Sequence, residues 1–218
     1  MQKLIYLANR AHDLLEATRK LDFVAPLLLR LTLAFVFIGA GLIKVTGFEN
    51  QVMWFEHSLG MPFPTLMVFL VTAAEFGGGI LLLLGLATRY VTVPLMIAMV
   101  VAALAVHAEN GWYAIGQTNP DTNWAKPWAS LGIPAAQRSL ENSEEVGRRV
   151  SAARSLLRQH GNYNWLTEKG NFVVLQNGIE FAAYYFMMLL ALFFLGAGRF
   201  VSLDYWIAQR FRDRPESG

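Results

Sequence analysis

"TAAEFGGGILLLLGL", residues 72–86, sets one carboxylic acid, Glu75, inside a run of otherwise apolar side chains and glycine. A run this apolar belongs in lipid, because about 20 residues at helical rise cross a hydrocarbon core. The rest of the chain has the same character: of 218 residues, 55% are apolar and only 16% are charged, which sets it apart from an ordinary soluble domain. Four segments are long and apolar enough to span, at 24–45, 64–86, 90–107 and 178–198. The expected fold class is therefore all-α, an integral membrane four-helix bundle forming a single domain over residues 1–218.

Residues 1–23 precede the first span and are too charged and too long a lead for a signal peptide, and no small-x-small site follows the apolar stretch. Leu4, Leu7, Ala8, Ala11, Leu14 and Leu15 recur at helical spacing, with the charged residues mostly elsewhere on the circumference. That pattern predicts an amphipathic helix lying on the membrane surface.

Basic residues set the expected orientation. Lys3, Arg10, Arg19 and Lys20 precede the first span, Arg89 sits between the second and third, and Arg199, Arg210, Arg212 and Arg214 follow the fourth. With four spans these flanks share one side, so both termini are expected in the cytoplasm and residues 108–177 form a periplasmic insert. The net charge of +2 is small and scattered, which argues against a nucleic-acid partner. The first part of the insert, through "WYAIGQTNPDTNWAKPWASLGIP", reads as loop, with Trp112, Tyr113, Trp124 and Trp128 suited to headgroup depth. The later "NSEEVGRRVSAARSLLRQHG" reads as one helix capped at Asn142 or Ser143 and stopped by Gly161, with Val146, Val150, Ala153 and Leu157 as its apolar stripe.

An intramembrane acid costs on the order of 3 kcal/mol by insertion scales, so Glu75 needs a partner or a proton. Counting depth along each helix makes Arg30 its expected partner and puts Lys44, His107 and Glu180 at one level. Arg30, Lys44, Glu75, Glu180, Tyr184 and Tyr185 make up the expected buried polar site, with a register-fixing pair as the structural alternative. Gly77, Gly78 and Gly79 are expected to let helices approach closely. The chain has no cysteine, so thiol exchange must belong to a partner. His57, His107 and His160, with Met53 and Met61 nearby, are the candidate metal ligands, and imidazole with thioether suits copper. Dinucleotide, P-loop and zinc spacings are absent.

"RLTLAFVFIGAGLIKVTGF" from Arg30 and "TAAEFGGGILLLLGLATR" from Thr72 carry an arginine opening the first span, G-x-x-K at its end (Gly41 to Lys44), and a glutamate, glycines and an arginine in the second. This pattern resembles the DoxX family of small four-helix membrane proteins. The insert, together with "NGIEFAAYYFMMLLALFFLGAGRFVSLDYW", is similar to the HvfX-like branch. The resemblance implies a bacterial inner-membrane accessory protein without established catalytic residues. Its branch implies service in maturation of a copper-binding modified peptide, or copper handling at the periplasmic face, beside a peptide-modifying enzyme. Two other classes stay open: a quinone-interacting subunit whose soluble redox partner holds the cofactor, and a scaffold or small-solute transporter.

Overall fold

The computed structural model describes residues 1–116, 119 and 121–211, apart from the side chains of Gln2 and Ala8. Arg212 and Arg214 of the basic flank, and Gln117, Thr118 and Pro120 of the insert, lie outside them. Among the described residues the chain is helical without a strand. The helices are α1 (Gln2–Ala17), α2 (Val24–Thr46), α3 (Phe48–His57), α4 (Pro64–Leu84), α5 (Thr88–Asn110), α6 (Ala125–Ser130), α7 (Pro134–His160), α8 (Tyr163–Thr167), α9 (Glu180–Leu195) and α10 (Leu203–Phe211). Two compact units result, Met1–Ala98 with Met187–Gly218, and Met99–Phe186.

Among the described residues three helices, α2, α4 and α5, are long and apolar enough to cross a membrane, and the expected fourth span corresponds to the shorter apolar helix α9. The expected fourth span at 178–198 is shorter than its hydropathy implied. Only the 16 residues of α9 are helical, about 24 Å at helical rise against a core of about 30 Å. Its start is delayed because the Gly178 amide bonds Tyr113 O at 2.8 Å and that of Ile179 bonds Gly111 O at 3.0 Å, which commits these amides outside the helix. At the other end Gly196, at φ +76°, turns the chain out of the helix.

In the first unit, α2 and α4 run antiparallel in a register fixed by glycine. A Cβ at Gly41 would stand 2.6 Å from the Phe76 amide nitrogen, and one at Gly79 would stand 2.8 Å from that of Ile38. Gly78 faces α5 instead, where a Cβ would meet Val91 and Leu95 at 3.2 Å. Two of the three consecutive glycines thus serve two different helix contacts, and Gly77 faces open space. Leu33, Ala34, Phe37, Val68, Leu82, Leu95, Leu189 and Leu192 form the unit's core. Leu4, Leu7, Leu14 and Leu15 of α1 are all exposed, as the apolar face of an interfacial helix would be.

In the second unit α7 starts at Pro134, well ahead of the expected Asn142 or Ser143 cap, because proline suits the first helical position. Asn142 and Ser143 instead lie inside the helix and bond outward. Asn142 Nδ2 donates to the carbonyls of Asn110 and Gln176 at 2.9 Å each, and Gln176 Nε2 donates to Ser143 Oγ at 3.0 Å. Ser139 Oγ accepts the Trp112 amide at 2.7 Å. One polar seam on α7 therefore holds both of the paired segments, 111–114 and 176–180, and Val146 and Val150 of the expected stripe are buried beside it.

Candidate functional site

Glu75 sits in a π-turn, Ala73–Gly77, that interrupts α4. The extra residue of a π-turn re-aims the side chains around it and is often found where a site needs them. Here Glu75 Oε2 accepts from Lys44 Nζ at 2.6 Å, with the glutamate side chain 7% and the lysine side chain 19% exposed. The expected Arg30 to Glu75 pair does not form. The glycine contacts set Arg30 against Leu82 and Gly85, and Glu75 lies about 15 Å of helix away from Gly85. Depth counted along separate helices missed this, since only the interhelical register decides which residues face each other.

Arg30 closes the other end of the same helix pair. It is fully buried, with Nη1 donating to Leu82 O at 3.2 Å and Nη2 to Val201 O at 2.8 Å. Gly85, at φ +65°, is the residue that makes room, since a Cβ there would overlap the guanidinium. Asp204 completes the clamp: its carboxylate accepts the Ala87 and Thr88 amides at 2.7 and 2.9 Å, and its own amide bonds Gly85 O at 2.9 Å. Asp204 was hidden in a tail read only for its basic residues. The signal available was Ser202, whose Oγ accepts the Tyr205 amide and opens α10 two residues before it.

The second unit carries the other expected acid. Glu180 opens α9 with Oε2 accepting the Ala114 amide at 2.9 Å and Oε1 accepting the Tyr184 hydroxyl at 2.9 Å. Tyr184 also meets the Trp112 ring edge-on, whereas Tyr185 stacks on Phe181. Glu180 and Tyr184 line a 770 Å³ pocket walled by Trp112, Tyr113, Trp124 and Trp128, with Arg138 at its edge. Burial pushes the Tyr113 phenol above its usual range, and the nearby Glu180 charge adds to that, so Tyr113 is a neutral donor at neutral pH. The pocket is apolar and aromatic with a few convergent polar groups, the usual make-up of a small-molecule site. The sequence supplied its aromatic residues but read them as headgroup anchors, because their convergence depends on the seam along α7.

The candidate metal ligands are divided between the two units. His57 ends α3 in the first unit and is exposed, while His107 and His160 belong to the second. His107 donates from Nδ1 to Asn177 O at 2.8 Å, and His160 is exposed at the end of α7. Among the described residues no three His, Asp or Glu side chains gather into a metal-binding group.

No solved structure matches the chain. Over 83 residues it is 35% identical to "Putative oxidoreductase CatD" of Bacillus subtilis, covering 38% of this chain and 60% of that protein. Over 71 residues it is 38% identical to "Inner membrane protein YqjF" of Escherichia coli, covering 33% of this chain and 52% of that one. The chain thus spans about half to three fifths of these relatives. Residues 25–108, the stretch that carries the Lys44 to Glu75 pair and Arg30 itself, match the DoxX family model.

Proposed function

We propose that the whole chain is a DoxX-type protein of the bacterial inner membrane, in which the shorter apolar helix α9 completes a fourth crossing and leaves both termini cytoplasmic, and that it binds a quinone for a membrane oxidoreductase. The observation that carries this reading is the aromatic pocket of the second unit, in which a hydroxyl-to-carboxylate pair faces apolar walls. A quinone ring stacks on indole faces, and its carbonyl oxygens take hydrogen bonds from Arg138 or a tyrosine hydroxyl. Glu180 is the acceptor for a hydroquinone hydroxyl. Reducing the quinone consumes two electrons and two protons; the electrons come from a redox partner, since this chain offers no thiol. The name of the Bacillus subtilis relative supports an oxidoreductase setting, and that of the Escherichia coli relative supports the inner membrane. In this reading Lys44 and Glu75 fix the register of the spans. Copper handling of the HvfX kind stays a weaker reading, because no described cluster supplies its ligands.

The test is organic extraction of protein purified with its native lipids. Wild type should retain quinone in proportion to protein; Trp112→Ala, and Glu180→Gln with Tyr184→Phe, should lose most of it. Replacing His57, His107 and His160 together should leave retention unchanged. Retention no higher than a detergent blank, or retention that ignores the pocket variants, would overturn the reading.

A further inference from the structure

The first unit carries a second cavity that the quinone reading does not use. It is a groove of 1110 Å³ where α5 begins, α9 ends and α10 lies, with Arg89 and Arg199 on its wall and Val93, Pro94, Phe193 and Ile207 among its apolar residues. Both arginines lie at helix ends. Arg89 is in the first turn of α5, and Arg199 follows the turn that ends α9. This is the level at which lipid headgroups meet the spans.

Two arginines line the groove against one carboxylate, Asp204, which accepts the Ala87 and Thr88 amides and whose charge faces the buried Arg30 cation. Arg89 is held in place by one bond, Nη2 to Phe194 O at 2.9 Å, and Gly196 leaves space for its guanidinium, since a Cβ there would stand 3.3 Å from Nε. Arg199 bonds Asp22 through Nε and Nη2, in an ion pair about half exposed on both sides. Such exposed pairs exchange partners at little cost, and Nη1 is not part of it. Two cations thus stand at headgroup level over an apolar channel, an arrangement matched by a ligand with an anionic head and a hydrocarbon tail.

We propose that this groove is a binding site for one anionic phospholipid, its phosphodiester between Arg89 and Arg199 and an acyl chain along Val93, Pro94 and Phe193. Charge decides the occupant: a zwitterionic lipid brings an ammonium that the two arginines disfavour, and a free phosphate leaves the apolar channel unfilled. The site acts on the joint between α5, α9 and α10, and so on the Asp204 arm of the Arg30 clamp.

The experiment is thermal unfolding in mixed micelles of detergent with phosphatidylglycerol, with phosphatidylcholine, or with glycerol phosphate at matched concentration. Wild type should be stabilised by phosphatidylglycerol alone. Arg89→Gln with Arg199→Gln should weaken the apparent phosphatidylglycerol affinity about thirtyfold, from two cations at a membrane surface. Ala208→Trp, which fills the groove and keeps both arginines, should lose the phosphatidylglycerol shift while its midpoint in phosphatidylcholine stays at the wild-type value. Equal stabilisation by the two lipids overturns the proposal, as does a full shift from glycerol phosphate, which would make this a free-anion site. A phosphatidylglycerol shift that survives Ala208→Trp places the lipid elsewhere and also overturns it.

Discussion

The two units solve opposite problems of polar bookkeeping. In the first, where lipid surrounds the helices, backbone groups are satisfied within each helix and close contact is made by glycine, leaving very few polar side chains to be paired. Among them, Lys44 with Glu75 and Arg30 with its carbonyls sit at the two ends of one antiparallel helix pair, and Asp204 and Arg89 bond backbone groups at helix ends. In the second unit, the backbone of 111–114 and 176–180 is satisfied by its own pairing and by serine, asparagine and glutamate side chains. Polar groups in the first unit are rare and each is expensive to disturb; in the second they are many and each contributes modestly.

The largest expected effect tests the first half of that contrast. Lys44→Met or Glu75→Gln alone should destabilise the protein by about 3–5 kcal/mol, because each leaves its partner uncompensated in a low-dielectric site. The double variant removes both demands and should be less harmed than the sum of the singles. Reversible unfolding in detergent measures the cycle. Additive losses would mean that the two side chains do not act as a pair.

Next in size is the glycine at the opposite end of that helix pair. Gly85→Ala forces a Cβ onto a left-handed backbone and into Arg30, so about 1–3 kcal/mol is lost from the backbone alone. Gly77→Ala is the matched control, with an ordinary helical φ of −65° and nothing within 4 Å of the new methyl group. It should be neutral or slightly stabilising. Equal losses at both positions would show that glycine content in α4 serves flexibility and not close packing.

These residues also show where the sequence was readable. The spans α2, α4 and α5 follow from apolar length bounded by Pro64, Gly47 and Gly85, signals local enough to read directly. The partner of Glu75 was not local: Lys44 and Arg30 lie on the same helix, and only the contacts of Gly41 with α4 and of Gly79 with α2 choose between them. The short α9 escaped for a similar reason, since hydropathy counts Gly178 as apolar although its amide is committed to Tyr113. Pro134 was readable as a helix start, and the more polar Asn142 and Ser143 drew the boundary away from it. The aromatic pocket needed the whole seam of α7, which no stretch of sequence displays.

A smaller effect, about 1–3 kcal/mol, is expected at that seam. Ser139→Ala leaves the Trp112 amide without its acceptor, and an unmet buried donor costs more than the bond itself contributed. Hydrogen exchange should show faster opening at 111–114 than at α2 and α4. Because Trp112 walls the pocket, quinone retention should fall along with it. A variant whose residues 111–114 stay as protected as in wild type would move the anchoring of this segment from Ser139 to its pairing with 176–180.

The smallest expected effect lies on the exposed flank of the same helix and sets the scale for the seam. Arg149 and Glu145 form an ion pair one turn apart on α7, with side chains 64% and 49% exposed. Both remain hydrated in the folded and unfolded protein, and holding two long side chains together offsets most of their attraction. Arg149→Ala should therefore change stability by no more than about 0.5 kcal/mol, and raising the salt concentration should reduce even that difference. The seam and this pair differ above all in burial, since Ser139 and Ser143 are buried and both members of the pair are exposed. If Arg149→Ala proved as damaging as Ser139→Ala, the energetic weight of α7 could not be assigned to the side facing 111–114 and 176–180, and the contrast drawn between the two units would lose its second half.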